Sequence, residues 1–323
     1  MKEIYNLCVQ GSVIEAYQYL RNLKNKTEEQ RHLEKKYYQR FFKKFTESEM
    51  KISDSWIQHV LNAYNNYFVN VLTNKKSHDI AEKILLNNLN DILPPRFKSV
   101  DLESAENGLK GVFEQKGYHF LGGKTLPYYG PYIWKEMSLK TYKVKLPNST
   151  EIIKVFFMDE FLMLSWLHFA TFGNLYTGGW ANDTGLYCVK EAYSDVLDSP
   201  EFYVSFLKHE AQHYSDYRDF PNLKSKDLEY RAKLIELIYY PNSDVFQKIV
   251  QEAVKGSSNP HSYSSYVIVN QFSNQFFKRK FENYMGEWKK IEYKELRLFA
   301  KHLYDEHTVK LKRKGASQVE EVI

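Results

Sequence analysis

Cysteine is nearly missing from this chain, with only Cys8 and Cys188 in 323 residues. That excludes a disulfide framework and leaves at most one bridge open. Long apolar runs are missing too. The most apolar stretch, VFFMDEFLMLSWLHFATFG, is broken by Asp159 and Glu160, and its uninterrupted part is too short to cross a bilayer. No membrane span is expected. The opening MKEIYNLCVQGS lacks the apolar centre of a signal peptide. A cytoplasmic location is therefore expected, with unconventional export left open. Charge bias is slight, at a formal +5. The basic groups gather in RNLKNK (21–26), FKRKF (277–281) and KLKRKG (310–315) and read as solvated faces. No nucleic-acid module accompanies them, so no nucleic-acid partner is expected. The paired glycines of TGGWAND (177–183) fit no phosphate loop and read as a turn or cleft rim. Dinucleotide, kinase and serine-hydrolase signatures are also missing.

Aromatic residues, by contrast, are plentiful: 26 Tyr and 21 Phe. They supply large buried area and, in Tyr, a hydroxyl that can serve a cleft. Three regions are expected along the chain. Residues 1–95 read as a helical N-terminal region. GSVIEAYQYLRNL and ISDSWIQHVLNAYNNYFVNVL space their apolar residues helically, the second behind an Asp54 or Ser55 cap. PPRF at 94–97 breaks this pattern, because proline cannot continue a helix. Residues 96–240 begin β-like, in GYHFLGG, PYYGPYIW, LKTYKVKLP and EIIKVFFM. DEFLMLSWLHFATFG then reads as a buried helix, with His168 as a core histidine, and GLYCVKEAY reads as a strand. Two helices follow. DSPEFYVSFLKHEAQHYSDY starts at an Asp198 or Ser199 cap with Pro200 in its first turn, and KDLEYRAKLIELIYY ends at Pro241. Residues 241–323 read as a helical C-terminal region interrupted at GSSNPHSYS (256–264).

The chemistry gathers in LKHEAQHYSDY (207–217), which contains an HExxH pattern. Residues four apart share a helix face, about 40° apart around the axis, so His209 and His213 can present two imidazoles to one metal ion. Glu210 lies about 100° from His209 and flanks them. There it reaches a water on the metal more readily than the metal itself. Val204, Leu207, Ala211 and Tyr214 form the opposite, core-facing stripe. A catalytic site needs a third protein ligand and one open position. The extension HExxHxxGxxH fails, because Asp216 and Asp219 occupy its glycine and third-histidine positions. A glutamate on the next helix remains. Glu229 follows His213 by sixteen residues, in LEYRA, with the small residue Ala232 three beyond it. Glu236, seven residues further and on nearly the same face, is the rival ligand.

HEAQH with a downstream ExxA resembles the gluzincins, the zinc metallopeptidases with two His ligands and one Glu. The match covers about residues 150–240 and reaches only superfamily level. The resemblance implies an α+β fold: a zincin-like core of a small mixed sheet, a backing helix, the HExxH helix and the glutamate helix, flanked by helical segments at both ends. It implies Zn2+ on His209, His213 and Glu229, with Glu210 as the general base. A peptide or protein substrate would pair with an edge strand near 185–191. One position departs from the pattern. Many gluzincins carry an Asp after the small residue to support a ligand His, and here that position is Lys233. Asp216, Asp219 and Asp227 are candidates for that support.

For transition-state stabilisation, NPHSYSSY (259–266) offers Tyr263 first and His261 second, with Tyr266 as a further candidate and Ser262 or Ser264 as a helix cap. A reading of another class stays open: a catalytically inactive zincin-like or helical scaffold protein whose basic helices engage an acidic or protein partner.

Overall fold

The computed structural model describes residues 1–43, 52–182 and 184–323. The protein is α+β. Its backbone forms two compact units, residues 1–137 with 158–177, and residues 138–157 with 178–323. Both boundaries expected from the sequence, near 95 and 240, fall inside these units. At Pro94–Pro95 the chain makes only a short 3-10 turn before helix resumes.

Among the described residues of the first unit, these α-helices precede the strands: α1 (Lys2–Val9), α2 (Val13–Asn22), α3 (Glu28–Tyr37), α4 (Ser55–Leu72), α5 (His78–Ile92) and α6 (Leu102–Gln115), with a π-helical segment Tyr38–Phe42 after α3. Side chains set their starts. Thr27 and Gln30 form a reciprocal capping box at α3. Asp54 accepts from the amides of Trp56 and Ile57 at α4, and Asp101 accepts from Ser104 at α6. Helix α6 departs from the expectation that residues 96–240 begin β-like, since the first strand starts only at His119. The apolar stripes of these helices close on one core, with Tyr64, Phe68, Phe113 and Trp166 among its buried members.

The strands are β1 (His119–Leu121), β2 (Lys124–Thr125), β3 (Tyr128–Tyr129), β4 (Tyr132–Lys145), β5 (Thr150–Leu164), β6 (Gly179–Asn182) and β7 (Gly185–Val189). Five of them form one sheet in the order β1-β4-β5-β7-β6. Two sequence expectations change here. The buried helix expected over DEFLMLSWLHFATFG forms only in its middle: residues 159–164 are strand and 171–173 are turn. β5 runs through to Leu164, and only α7 (Ser165–Ala170) is helical. A short apolar run carries no periodicity that separates strand from helix. The strand absorbs its polar interruption by a left-handed residue, Glu160 (φ 54°). His168 in α7 is half-buried, with Tyr176 edge-on to its ring. Second, β6 rather than β7 is the terminal strand, so TGGWAN is the sheet edge and not a turn; Asp183 lies outside the described residues.

In the second unit, α8 (Lys190–Tyr193) follows β7, and a π-helical segment, Glu201–Lys208, leads directly into α9 (His209–Asp219). Ser199 accepts from the Glu201 amide at its start. Then come α10 (Ser225–Tyr239), α11 (Asp244–Glu252), α12 (Pro260–Phe277), α13 (Met285–Trp288) and α14 (Tyr293–Lys314). Val204, Leu207 and Ala211 are buried in this unit's core with Tyr214 packed against it, as the helical spacing predicts.

A buried ion pair joins the two central helices. Arg231 of α10 donates from Nε to both carboxylate oxygens of Asp216 in α9 at 2.9 Å. It also reaches Thr308 and Tyr304 of α14 at 3.0 Å. Both charged side chains are almost wholly buried. Removing one partner strands the other without water, a loss of about 3–5 kcal/mol. Asp216→Ala should therefore lower the urea unfolding free energy by about that much. Asp305→Ala, which breaks the exposed Lys301–Asp305 pair, should change it by less than about 1 kcal/mol. Equal effects would contradict this account of the pair.

Candidate metal centre

Helix α9 presents His209 and His213 one turn apart, and α10 brings Glu229 to meet them. The π-helical segment ends at Lys208, directly before the first histidine. The two imidazoles face each other, Nε2 to Nε2, at 3.1 Å. Glu229 Oε2 stands 3.5 Å from His209 Nε2, and Oε1 stands 3.4 Å from His213 Nε2. Ligand atoms joined to one four-coordinate ion by bonds of about 2.0–2.1 Å are separated by about 3.3 Å. The observed separations bracket that value. The three side chains are close to fully buried, at 10%, 9% and 12% exposure. They form a group able to hold a metal ion, drawn from the residues that the HExxH and LEYRA stretches single out.

The electrostatics of the group favour a cation. Burial alone pushes the His209 imidazole down, but contacts with Glu229 and Glu236 outweigh it and hold the pKa at about 10. Burial raises Glu229, and the three imidazoles His209, His213 and His261 reverse this and hold it well below the carboxylate range. Glu229 Oε2 is buried and has no aligned hydrogen-bond donor, although His261 Nδ1 lies 2.8 Å away. A buried carboxylate oxygen so placed can also accept a bound cation.

Glu236 supports the group from behind. Its Oε1 lies 2.7 Å from His209 Nδ1, the ring nitrogen turned away from the other ligands. A carboxylate there fixes the tautomer that leaves Nε2 free for metal. Glu236 is thus a partner of His209, on the glutamate helix two turns beyond Glu229. The three aspartates considered from sequence are engaged elsewhere. Asp216 pairs with Arg231, Asp219 with Arg218, and Asp227 with His307 and the Val322 amide. Lys233 binds Glu252 at 2.6 Å, and Glu252 also accepts from Ser265, so this lysine ties α10 to α11 and α12. His213 Nδ1 is buried and has no hydrogen-bond partner among the described residues.

Glu210 is half-buried, and among the described residues its carboxylate makes no hydrogen bond or ion pair. The Glu210 charge acts on Tyr217 and Tyr193. Burial raises both phenols, and the Glu210 charge raises each further, together with Glu229 for Tyr217 and Glu236 for Tyr193. Tyr217 also sets its ring 6.4 Å from that of His213. These two tyrosines were not singled out from the sequence. The one readable signal was that Tyr217 stands four residues after His213, on the ligand face.

The loop-to-helix junction divides its candidates. Asn259, not Ser262 or Ser264, caps α12 by accepting from the His261 and Ser262 amides. This turn brings His261 onto Glu229 with half its side chain still exposed. Tyr263 lies under Lys226, whose Nζ is 4.3 Å from the ring centroid, and Tyr266 stacks on Phe281. Among the described residues, no hydrogen bond, ion pair or ring stacking joins either tyrosine to the three-residue group.

Both cysteines are buried and free. No helix among the described residues is long and apolar enough to cross a membrane. Comparison with protein-family models, with curated proteins and with solved structures finds no match.

Protein purified without chelators should carry about one divalent metal ion per chain, and His209→Ala, His213→Ala and Glu229→Ala should lose it. Glu236→Gln should still fill at saturating metal, with affinity lowered about 10–100-fold in chelator competition. Loss of stoichiometry in Glu236→Gln, with full retention in Glu229→Ala, would exchange the two glutamates' roles.

Proposed function

We propose that this protein is a zinc-dependent peptidase of gluzincin type. The observation that carries the reading is the approach of two imidazole Nε2 atoms and one carboxylate to within a few ångströms, beside an uncommitted glutamate. Two His and one Glu with a fourth position open is the donor set of a catalytic zinc rather than a structural one. A zinc ion held there supplies Lewis acidity, lowering the pKa of water toward neutrality and polarising a carbonyl.

The remaining roles belong to the chain. Glu210 follows the first ligand histidine in sequence and has no hydrogen bond or ion pair among the described residues, so its carboxylate is available to take a proton from the attacking water and deliver it to the leaving amine. Glu236 keeps His209 in the metal-binding tautomer. His261 holds Glu229 through Nδ1 and has Nε2 left to donate to the oxygen that becomes negative in the transition state. Terminal strand β6 has one sheet neighbour among the described residues and lies against α9. An extended substrate backbone is expected to add to that edge.

Glu210→Gln should keep its zinc and lose hydrolysis of a peptide library; undiminished turnover would remove Glu210 as base. His261→Ala should lower kcat about 100-fold at full zinc occupancy. A fall in zinc affinity with kcat intact at saturating zinc would make His261 a support for Glu229 alone. Zinc retained by the wild type with no peptide cut would favour the inactive scaffold.

A further inference from the structure

His261 reaches the site from α12, not from α9 or α10, so its placement depends on how α12 is held. The turn that carries it is held from both sides. Asn259 caps the helix start, and the Val254 amide donates to the Ser262 carbonyl at 3.1 Å. Glu252, the last residue of α11, accepts from Lys233 of α10 at 2.6 Å and from Ser265 of α12 at 2.9 Å. This last contact has a regular place. Lys233 stands four residues after Glu229, and Ser265 stands four after His261. Residues four apart lie on one helix face, one turn from each other. The Lys233–Glu252–Ser265 bridge therefore repeats the Glu229–His261 contact one turn further along both helices.

The chemistry of the bridge makes it selective. Lys233 is buried, and a buried ammonium persists only when it is paired. Its partner is an acid on another helix, and that acid also takes the hydroxyl of Ser265, which is fully buried. Sliding α12 by one turn would leave that hydroxyl buried without its acceptor, a costly loss. Burial raises the Glu252 carboxyl, and Lys233, Ser265 and His261 together hold it below its usual range. The charge of Glu252 thus acts on His261 itself as well as on the helix that carries it.

We infer that Lys233 and Glu252 are positioning residues for His261: through Ser265 they fix α12 against α10, so that His261 Nδ1 stays on Glu229 and Nε2 stays free. The inference rests on the peptidase reading for what His261 does in turnover, and on the bridge for where His261 stands. It also gives a role to the lysine that departs from the gluzincin pattern. Where many gluzincins support a ligand histidine, this chain supports the residue that contacts the ligand glutamate.

The test uses Glu252→Gln, which removes the charge and keeps the shape, and Lys233→Met, which removes the ammonium. In metal-free protein carrying isotope-labelled histidine, the His261 Nδ1 proton held by Glu229 should give a downfield ring resonance, identified by its loss in His261→Ala. Glu252→Gln should weaken or abolish that resonance at unchanged helix content. At saturating zinc, Glu252→Gln should lower kcat about tenfold with KM unchanged. In a His261→Ala background it should lower kcat no further, because its effect passes through His261. Lys233→Met should follow Glu252→Gln in each respect. Glu252 is partly exposed, so its variant decides the matter if the buried lysine's variant fails to fold. No such resonance in the wild type, a resonance unmoved by Glu252→Gln, or kcat losses that multiply in the double variant would each overturn the inference. Turnover separates the two readings. A wild type that cuts no peptide, with a resonance lost in Glu252→Gln, removes the peptidase and keeps the positioning. Turnover with an unmoved resonance keeps the peptidase and removes the positioning.

Discussion

The candidate centre depends on one constraint: α9 and α10 must hold a single register, because the donors are divided between them. The Arg231–Asp216 pair, buried and extended to Tyr304 and Thr308 of α14, enforces that register. A buried pair of this kind adds little net stability over apolar packing, yet breaking it is severe, so it disfavours alternative alignments more than it strengthens this one. Asp227 extends the same logic one turn earlier. It is fully buried against His307 and accepts the Val322 amide, which anchors the start of the glutamate helix. Glu229 lies between these two anchors, and its position follows from them.

Glu229 and Glu236 divide the work of one helix face. Seven residues bring the chain almost to the same angle two turns further along. From there a carboxylate meets the far side of the His209 ring instead of its metal-facing side. A helical wheel makes the two glutamates equivalent, because it omits the rise along the axis, which decides between ligand and support. Lys233, at the position where many gluzincins carry an Asp, gives its charge to Glu252, which also accepts from Ser265.

Much of the site was legible before the fold. His209 and His213 follow from the HExxH spacing, and Glu229 from the resemblance of LEYRA to the gluzincin glutamate helix. One helix start was also readable, at Asp54, because a capping residue announces itself locally. The failures share a cause. Whether DEFLML is strand or helix, and whether TGGWAN is turn or edge, is decided by partners distant in sequence. Short apolar or glycine-rich stretches carry too little periodicity to reveal those partners. Tyr193 and Tyr217 reach the surroundings of Glu210 through tertiary packing, and of the two only Tyr217 leaves a trace in spacing.

The central claim is a metal ion on His209, His213 and Glu229, and zinc-edge anomalous diffraction from zinc-loaded crystals tests it most directly. The account predicts one strong peak about 2.0–2.2 Å from His209 Nε2, His213 Nε2 and a Glu229 oxygen, with Glu236 bonded only to His209 Nδ1. No peak at these residues, or a peak coordinated by Glu236 with Glu229 turned away, would contradict it.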